Sequence, residues 1–142
     1  MNHTLETLLP LPDSPEGLGK LRILTAEADG LIRYDESYSY PRSSNGICKR
    51  IVWKRKDETI YTSDNLLPRY TTSLDAIFAA EERLECHDVT TQASSAWKKY
   101  VYDICIYLDI PAVTSLTLTP SYRCIPYILT AQEIRAAVKD AQ

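Results

Sequence analysis

Helix-starting signals divide this chain into segments that must fold differently. Three segments with helical spacing of apolar residues begin at Ser14, Thr72 and Thr130, which are residue types that cap helix N-termini. A carboxylate follows Thr72 and Thr130 three residues later, as in a capping box. Gly30 gives the first helix the residue that most readily adopts a left-handed C-cap conformation. The sequence therefore predicts helices over 14–30 and 72–84, and a last helix from Thr130 onward.

Segments of alternating or β-branched residues lie between the predicted helices. The strands predicted there run over 47–54, 59–62, 97–108, 113–119 and 122–127, and the clearest alternation is in 97–108. Consecutive strands joined by short turns pair antiparallel. We therefore predict an α+β fold with an antiparallel or mixed sheet of about four to five strands and helices packed on it.

The length of 142 residues is typical of one domain with its own core. Two closely spaced prolines limit helix formation in residues 1–13, which we predict to be an N-terminal arm. Residues 14–142 are predicted to be a single domain. Within it, the polar and tyrosine-rich segment 32–46 has the composition of a loop, with Asn45 and Gly46 as its turn signal.

The bulk charge and hydropathy limit the classes of partner. The net charge of −3 argues against a general nucleic-acid binder, which needs a basic surplus. No apolar run approaches the roughly 20 residues that cross a bilayer, and the N-terminus lacks a signal-peptide pattern. The four cysteines form no CxxC pair, which favours free thiols in a reducing compartment. We expect a cytoplasmic location in the host cell and no membrane partner.

Two segments resemble a known family. Residues 68–84, with their Pro-Arg-Tyr-Thr-Thr-Ser-Leu-Asp-Ala-Ile opening, resemble the start of the central helix in phage ABA sandwich domain proteins. Residues 128–139 resemble that family's closing helix, and residues 21–30 are loosely similar to its N-terminal helix. Ala131 stands where the family usually has proline. The resemblance implies a layered α/β/α sandwich and a phage or prophage origin, and it supplies no catalytic residue.

Candidate catalytic groups are few. The two histidines are His3, in the predicted arm, and His87, which follows Cys86 directly. A nucleophilic Cys–His couple is normally assembled from distant segments, with a third group that orients the base. The glycines form no phosphate-binding loop, and the cysteines and histidines lack metal-ligand spacing. We predict no catalytic residue, no metal and no cofactor, and keep a hydrolase that uses Cys86 or His87 as an alternative.

The most specific binding signal is a basic stretch that contains aromatic residues. Guanidinium forks bind phosphate oxygens, and aromatic rings stack on bases. The predicted ligand-binding residues are Tyr40, Arg42, Arg50, Trp53 and Arg55. The alternative interpretation is edge-strand protection, because charged side chains on an exposed strand suppress edge-to-edge pairing.

Together these features predict a protein that acts by binding and is not an enzyme. The specific hypothesis is a phage- or prophage-type accessory protein, a homo-oligomer that sequesters a nucleotide-derived small anion such as a host defence signal. The alternative is a protein–protein interaction module that docks a host protein through a tyrosine-rich surface, formed by residues 97–108 or by the loop over 32–46.

Overall fold

The structure combines helices with one small antiparallel sheet. The computed structural model describes residues 3–39, 47–55, 58–84, 92–110 and 118–140. Its helices are α1 (Leu5–Leu8), α2 (Pro15–Ala28), α3 (Leu74–Leu84), α4 (Gln92–Leu108) and α5 (Pro120–Asp140), with short 3₁₀ turns at Leu11–Asp13 and Asp64–Leu66. Its strands are β1 (Ile32–Ser39), β2 (Ile47–Arg55) and β3 (Glu58–Tyr61), in the spatial order β1-β2-β3. The predicted α+β class is confirmed, and the described residues contain three strands instead of the predicted four to five.

Helices α2 and α3 form where the capping signals predict them. The Ser14 hydroxyl accepts a hydrogen bond from the Gly17 N–H at 3.0 Å, and α2 ends before Gly30, whose φ is 90°. Helix α3 begins one residue later than predicted. Its capping side chain is Ser73, whose hydroxyl accepts from the Ala76 N–H at 3.3 Å, and not Thr72. Both helix starts therefore satisfy main-chain donors that have no partner inside the helix.

Strand β1 replaces the first part of the predicted loop. The loop prediction for 32–46 is wrong over 32–39, and residues 40–46 lie outside the described part of the chain. Tyr34 lies opposite Val52 of β2, and Arg33 lies opposite Trp53. Residues 32–35 of β1 are exposed, and every residue of the strand except Ile32 is charged or carries a hydroxyl group, so its composition resembles that of a loop. The predicted strands 47–54 and 59–62 are confirmed as β2 and β3.

Helix α4 occupies the segment with the clearest predicted strand pattern, so the strand prediction over 97–108 is wrong. Trp97, Val101, Ile104 and Cys105 are buried and have the spacing i, i+4, i+7 and i+8 of one helix face. Tyr102, which the strand assignment placed beside Ile104, is exposed. The segment fits both a period of two and a helical period, and burial of the helical stripe decides between them.

Helix α5 is continuous through a predicted strand and a predicted helix start. The strand prediction over 122–127 is wrong, and Thr130 lies inside the helix instead of at its N-cap. Pro126 cannot donate a hydrogen bond to the preceding turn, and the helix nevertheless continues. Residues 123–131 are all buried, so this stretch has no polar face and no amphipathic period. The strand predicted over 113–119 lies almost wholly outside the described residues.

Helix α5 is the centre of the core. It packs against α2, α3 and α4. The buried cluster to which it belongs also contains large apolar side chains of α2, β2, α3 and α4, among them Leu21, Trp53, Ile77 and Ile104. None of the described helices is long and apolar enough to cross a bilayer.

The N-terminal segment predicted as an arm contacts the end of this core. Leu8 of α1 is buried. The main-chain N–H of His3 donates to Gln132 Oε1 at 2.6 Å, and Gln132 Nε2 donates to the His3 carbonyl at 3.0 Å. His3 and α1 therefore lie against α5, and the 3₁₀ turn at Leu11–Asp13 lies against α2.

Candidate anion-binding site at the end of helix α2

The residue that ends helix α2, Asp29, is the centre of a buried polar cluster. The hydroxyl of Tyr70 donates to Asp29 Oδ2 at 2.8 Å, and the hydroxyl of Tyr127 donates to Oδ1 at 3.2 Å. Burial raises the pKa of Tyr70 well above its usual range, and the neighbouring Asp29 charge raises it further. Tyr70 therefore stays protonated and remains a donor to the carboxylate.

Two arginines from different elements bind Asp29. Arg83, in the last turn of α3, donates from Nε to Oδ1 at 2.7 Å and from Nη2 to Oδ2 at 2.6 Å. This two-point hydrogen bond raises the pKa of Arg83. Arg55, at the end of β2, donates from Nη2 to the main-chain carbonyl of Asp29 at 3.1 Å and lies 3.1 Å from Oδ2. The carboxylate thereby connects α2, α3 and the sheet.

A third arginine binds the last turn of α2. Arg135 Nη2 donates to the main-chain carbonyls of Glu27 at 2.9 Å and of Ala28 at 3.0 Å. The last carbonyls of a helix have no partner inside the helix and carry partial negative charge, so a cation is stabilising there. Among the described residues, Arg135 contacts only these neutral groups, and its charge is not paired with a carboxylate.

Two shallow grooves meet at Gly30, directly after this cluster. The larger, of about 490 Å³, is lined by Glu27, Gly30, Leu31, Ile32, Arg33 and Arg135. The smaller, of about 200 Å³, lies between the ends of α2, α3 and the middle of α5, and its lining includes Asp29, Gly30, Arg83 and Arg135. The positive φ of Gly30 turns the chain sharply from α2 into β1, which places Arg33 next to the helix end.

Together the two grooves are lined by more arginines than carboxylates, although Arg33 is also paired with Asp64 at 3.3 Å. Each is lined by two arginines and one carboxylate: Arg33 and Arg135 with Glu27, and Arg83 and Arg135 with Asp29. Arg55 Nε adds to this set, because it lies about 4.0 Å from the position that a Cβ on Gly30 would take. The side chains of Arg33, Arg55 and Arg83 are each more than a third exposed. Partly exposed guanidinium groups around a concave surface are suited to bind phosphate or carboxylate oxygens.

The structure places the predicted ligand-binding residues in separate environments. Trp53 is 0% exposed, and its indole N–H donates to Asp64 Oδ1 at 2.7 Å. Its ring therefore has no exposed face on which a base can stack. Arg55 belongs to the Asp29 cluster, as described above. Tyr40 and Arg42 lie outside the described residues.

Arg50 lies on the outer face of the sheet, away from the Asp29 cluster. It donates to Glu36 at 3.2 Å, and Lys54 also contacts Glu36, at 2.8 Å. These hydrogen bonds hold the pKa of Glu36 below its usual range, and the one from Lys54 has the larger effect. The ammonium of Lys54 lies 5.2 Å from the ring centre of Tyr34. The exposed aromatic ring beside the basic strand is therefore Tyr34 and not Trp53.

Sequence reasoning missed Asp29, Arg33, Arg83 and Arg135 as members of one site. These residues lie on four elements or their connections, and no local spacing connects them. One local signal exists: a helix that ends at Asp29 and Gly30 presents carbonyls that need donors. Nothing in the sequence indicates that arginines distant along the chain supply them.

The candidate catalytic and metal-binding residues do not add to this site. Cys86 and His87 lie outside the described residues. Cys105 and Cys124 are free and buried, and burial raises the pKa of both thiols. Over the residues that the structure describes, no group of histidine, cysteine and acidic side chains is arranged to hold a metal ion.

Comparison of the chain with protein-family models, with curated proteins and with solved structures finds no match.

Proposed function

We propose that this chain acts by binding, and that it binds a small phosphate-bearing anion of the nucleotide type in the grooves that meet at Gly30. The observation that carries the proposal is the convergence of Arg33, Arg55, Arg83 and Arg135 on this one point. Guanidinium groups clustered at one concave surface attract an anion locally even though the net charge of the chain is −3.

The chemistry of the arginines favours phosphate. A guanidinium group presents its donors in a planar fork that matches two oxygens of one phosphate, and it remains charged at every physiological pH. Arg135 is the best-placed contact because neutral carbonyls hold it in position without neutralising its charge. Arg83 and Arg55 also bind Asp29. They would therefore attract the anion mainly through their positive charge, and less through free N–H donors.

The size and lining of the larger groove suit a small molecule. Its volume of about 490 Å³ lies within the range of ligand pockets, roughly 300–1,000 Å³. Leu31 and the exposed side chain of Ile32 form its apolar part, against which a base or sugar would pack. A ligand bound here would use Ile32 in place of the stacking ring predicted for Trp53.

The biological role predicted from the sequence extends this proposal. A phage-type accessory protein with the layered ABA sandwich architecture would sequester a nucleotide-derived host defence signal in the host cytoplasm. Tyr40 and Arg42 remain predicted ligand contacts and lie outside the described residues. The support for this extension is the resemblance of residues 68–84 and 128–139 to the phage family.

Isothermal titration calorimetry at low salt tests the proposal. The ligands are inorganic phosphate, ADP-ribose and a panel of linear and cyclic nucleotides. We expect heat with at least one of them, and at least tenfold weaker binding in Arg135→Gln. The matched control is Arg50→Gln, which makes the same charge change at an exposed arginine on the outer face of the sheet. Circular dichroism and thermal melting establish that both variants are folded.

Two results would overturn the proposal. One is the absence of heat with every ligand. The other is equal weakening in Arg135→Gln and Arg50→Gln, because a loss that does not depend on position indicates non-specific attraction by net charge. Arg135→Lys refines the test, since it keeps the charge and removes the fork, and specific phosphate recognition predicts intermediate affinity.

A second candidate function is docking of a host protein through α4. Tyr102, Ile106 and Tyr107 are each more than half exposed and lie next to one another on the outer side of this helix. Aromatic residues with one polar end are enriched at protein interfaces. A purified host protein that binds the wild-type chain but not Ile106→Ser would support this function, and equal binding to both would exclude the α4 surface.

A further inference from the structure

Strand β1 forms an open edge of the sheet. In the spatial order β1-β2-β3, it pairs with β2 on one side only. Within the described ranges, no main-chain or side-chain hydrogen bond reaches the main chain on its other side. The strand is eight residues long, Ile32–Ser39, and pairs with β2 without a break in register. It therefore presents a continuous row of main-chain donors and acceptors to solvent.

This edge lacks several of the features that usually prevent pairing with another strand, although Arg33 and Asp35 are exposed and charged. It contains no proline, no lysine and no bulge, and its side chains include two large apolar groups, Ile32 and Tyr34, that are 53% and 43% exposed. Natural edge strands are usually short, bulged or blocked by lysine. An edge that is long, regular and partly apolar is suited to accept a further strand.

We propose that the partner of this edge is the β1 strand of a second copy of this chain. Two β1 strands would pair antiparallel about a twofold axis at Tyr34 and form one continuous six-stranded sheet. Side chains directly opposite each other in an antiparallel pair lie on the same face. Tyr34 would then lie opposite the partner's Tyr34, and Ile32 opposite the partner's Glu36.

Charge complementarity specifies the second copy and the register. With the axis at Tyr34, Arg33 lies opposite the partner's Asp35, and Asp35 lies opposite the partner's Arg33. Both side chains are exposed and lie on the same face of the sheet, since they pair with Trp53 and Ile51 of β2. The dimer would therefore contain two opposite-charge cross-strand pairs, which stabilise antiparallel sheets.

The neighbouring registers are electrostatically unfavourable. An axis at residue 33 places Arg33 opposite the partner's Arg33, and an axis at residue 35 places Asp35 opposite the partner's Asp35. Like charges directly opposite each other destabilise a strand pair. A register centred on Glu36 has the same defect. Among the registers centred on 33, 34, 35 and 36, only the one at Tyr34 avoids a like-charge pair on the axis.

The surface that this interface buries is small, so the dimer is expected to be reversible and to form in the micromolar range. Sedimentation velocity over a wide concentration range measures it. We expect Arg33→Glu and Asp35→Lys each to weaken the dimer roughly tenfold or more, because each change creates two like-charge pairs. Lys98→Glu, an equal charge reversal on the exposed side of α4, is the matched control and should not change the dimer.

Mixing the two charge-reversal variants gives the decisive result. In the mixed dimer, the acid introduced at position 33 lies opposite the lysine introduced at position 35 of the other chain. The native Arg33 and Asp35 of the two chains also lie opposite each other. The mixture should therefore recover the dimer affinity that each variant alone has lost, and a merely structural role for Arg33 or Asp35 does not predict this recovery.

A cysteine at the twofold axis tests the register independently. Cβ atoms directly opposite in an antiparallel pair are about 4.5–5.5 Å apart, which is close to the range for a disulfide. Tyr34→Cys should form a covalent dimer under mild oxidation. Ile32→Cys, on the same face of the same edge, should form no more covalent dimer than the unmodified chain.

A wild-type chain that stays monomeric at all concentrations would overturn this proposal, as would a dimer that persists in both single charge reversals. Arg33 and Ile32 also line the larger groove, so a variant of Arg135, which lies outside β1, separates the two proposals. Arg135→Gln should leave the dimer intact, and loss of ligand binding in that variant leaves the sedimentation result unchanged.

Discussion

Arg123 of α5 and Glu81 of α3 form an ion pair that is fully enclosed by the helices. Arg123 Nε lies 3.0 Å from Glu81 Oε1 and Nη2 lies 2.7 Å from Oε2, and the two side chains are 1% and 0% exposed. The guanidinium is also 4.7 Å from the ring centre of Phe78 and 5.4 Å from that of Trp97. Two-point hydrogen bonding and contact with two rings compensate charges that water cannot reach.

Replacing one partner of this ion pair should reduce the free energy of unfolding more than replacing both. Arg123→Met leaves the Glu81 carboxylate buried without its counter-charge, and we expect a loss of about 3–5 kcal/mol in the free energy of unfolding. In the double variant Glu81→Met/Arg123→Met neither charge of this pair remains, and most of that loss should be recovered. Urea denaturation followed by circular dichroism measures all three chains. A double variant no more stable than Arg123→Met would show that the ion pair is needed for packing and not only for charge balance.

The sequence predicts correctly the starts of α2 and α3, the second to within one residue, and the hairpin, because their structure depends on residues close together in the chain. Ser14 begins α2 because its hydroxyl binds a main-chain donor of the first turn, and the same chemistry at Ser73 begins α3. The hairpin of β2 and β3 follows from alternation on either side of a charged turn. These features depend on residues within a few positions of one another, so the sequence displays them directly.

The parts that the sequence did not predict depend on distant contacts. Residues 97–108 fit both strand and helix periods, and packing of Trp97 and Ile104 against other helices selects the helix. Residues 123–131 are buried on every side, so they lack the polar face by which helices are recognised. In the candidate site, Arg55 was predicted, whereas Arg83 and Arg135 reach Asp29 and its helix end from positions far along the chain.

Gly30 should be intolerant of a side chain for conformational reasons. Its φ of 90° lies in the left-handed region, while a Cβ there would meet nothing closer than Arg55 Nε at 4.0 Å. The space is open, so the cost of Gly30→Ala is backbone strain, about 1–2 kcal/mol. Gly19→Ala is the matched control, because Gly19 lies inside α2 with no neighbour within 4 Å and should gain about 0.5–1 kcal/mol. Thermal unfolding should show a lower melting temperature for Gly30→Ala and a higher one for Gly19→Ala. Equal shifts in the two melting temperatures would contradict the strain argument.

The stability of the fold should decrease above about pH 9 because of Cys124. Burial raises the pKa of this thiol to about 12, whereas in the unfolded chain it ionises near its ordinary value of about 8.5. Between these values the unfolded state has lost the proton and the folded state keeps it. The contribution of this thiol to stability is therefore complete below its pKa in the unfolded chain, and it is lost as the pH rises towards 12.

The expected slope is about 1.4 kcal/mol per pH unit for this one thiol. Urea denaturation at several pH values between roughly 8 and 9.5 measures the approach to this slope while most tyrosine side chains are still protonated. Cys124→Ala should make the slope shallower, and Cys105→Ala should do the same to a smaller degree because burial raises the pKa of that thiol as well. A slope that neither substitution changes would assign the effect to other groups.

The hydroxyl of Tyr70 should contribute to stability through Asp29 alone. It donates to the buried carboxylate at 2.8 Å, and burial keeps it protonated by raising its pKa. Tyr70→Phe removes one hydrogen bond to a charged acceptor and should cost about 1.5–3 kcal/mol. Tyr102→Phe removes a hydroxyl that is exposed on α4 and has no partner among the described residues, so we expect a change within about 0.5 kcal/mol. Asp29→Asn provides the coupling measurement: if the hydroxyl acts through the carboxylate charge, Tyr70→Phe should cost clearly less in that background than in the wild-type chain.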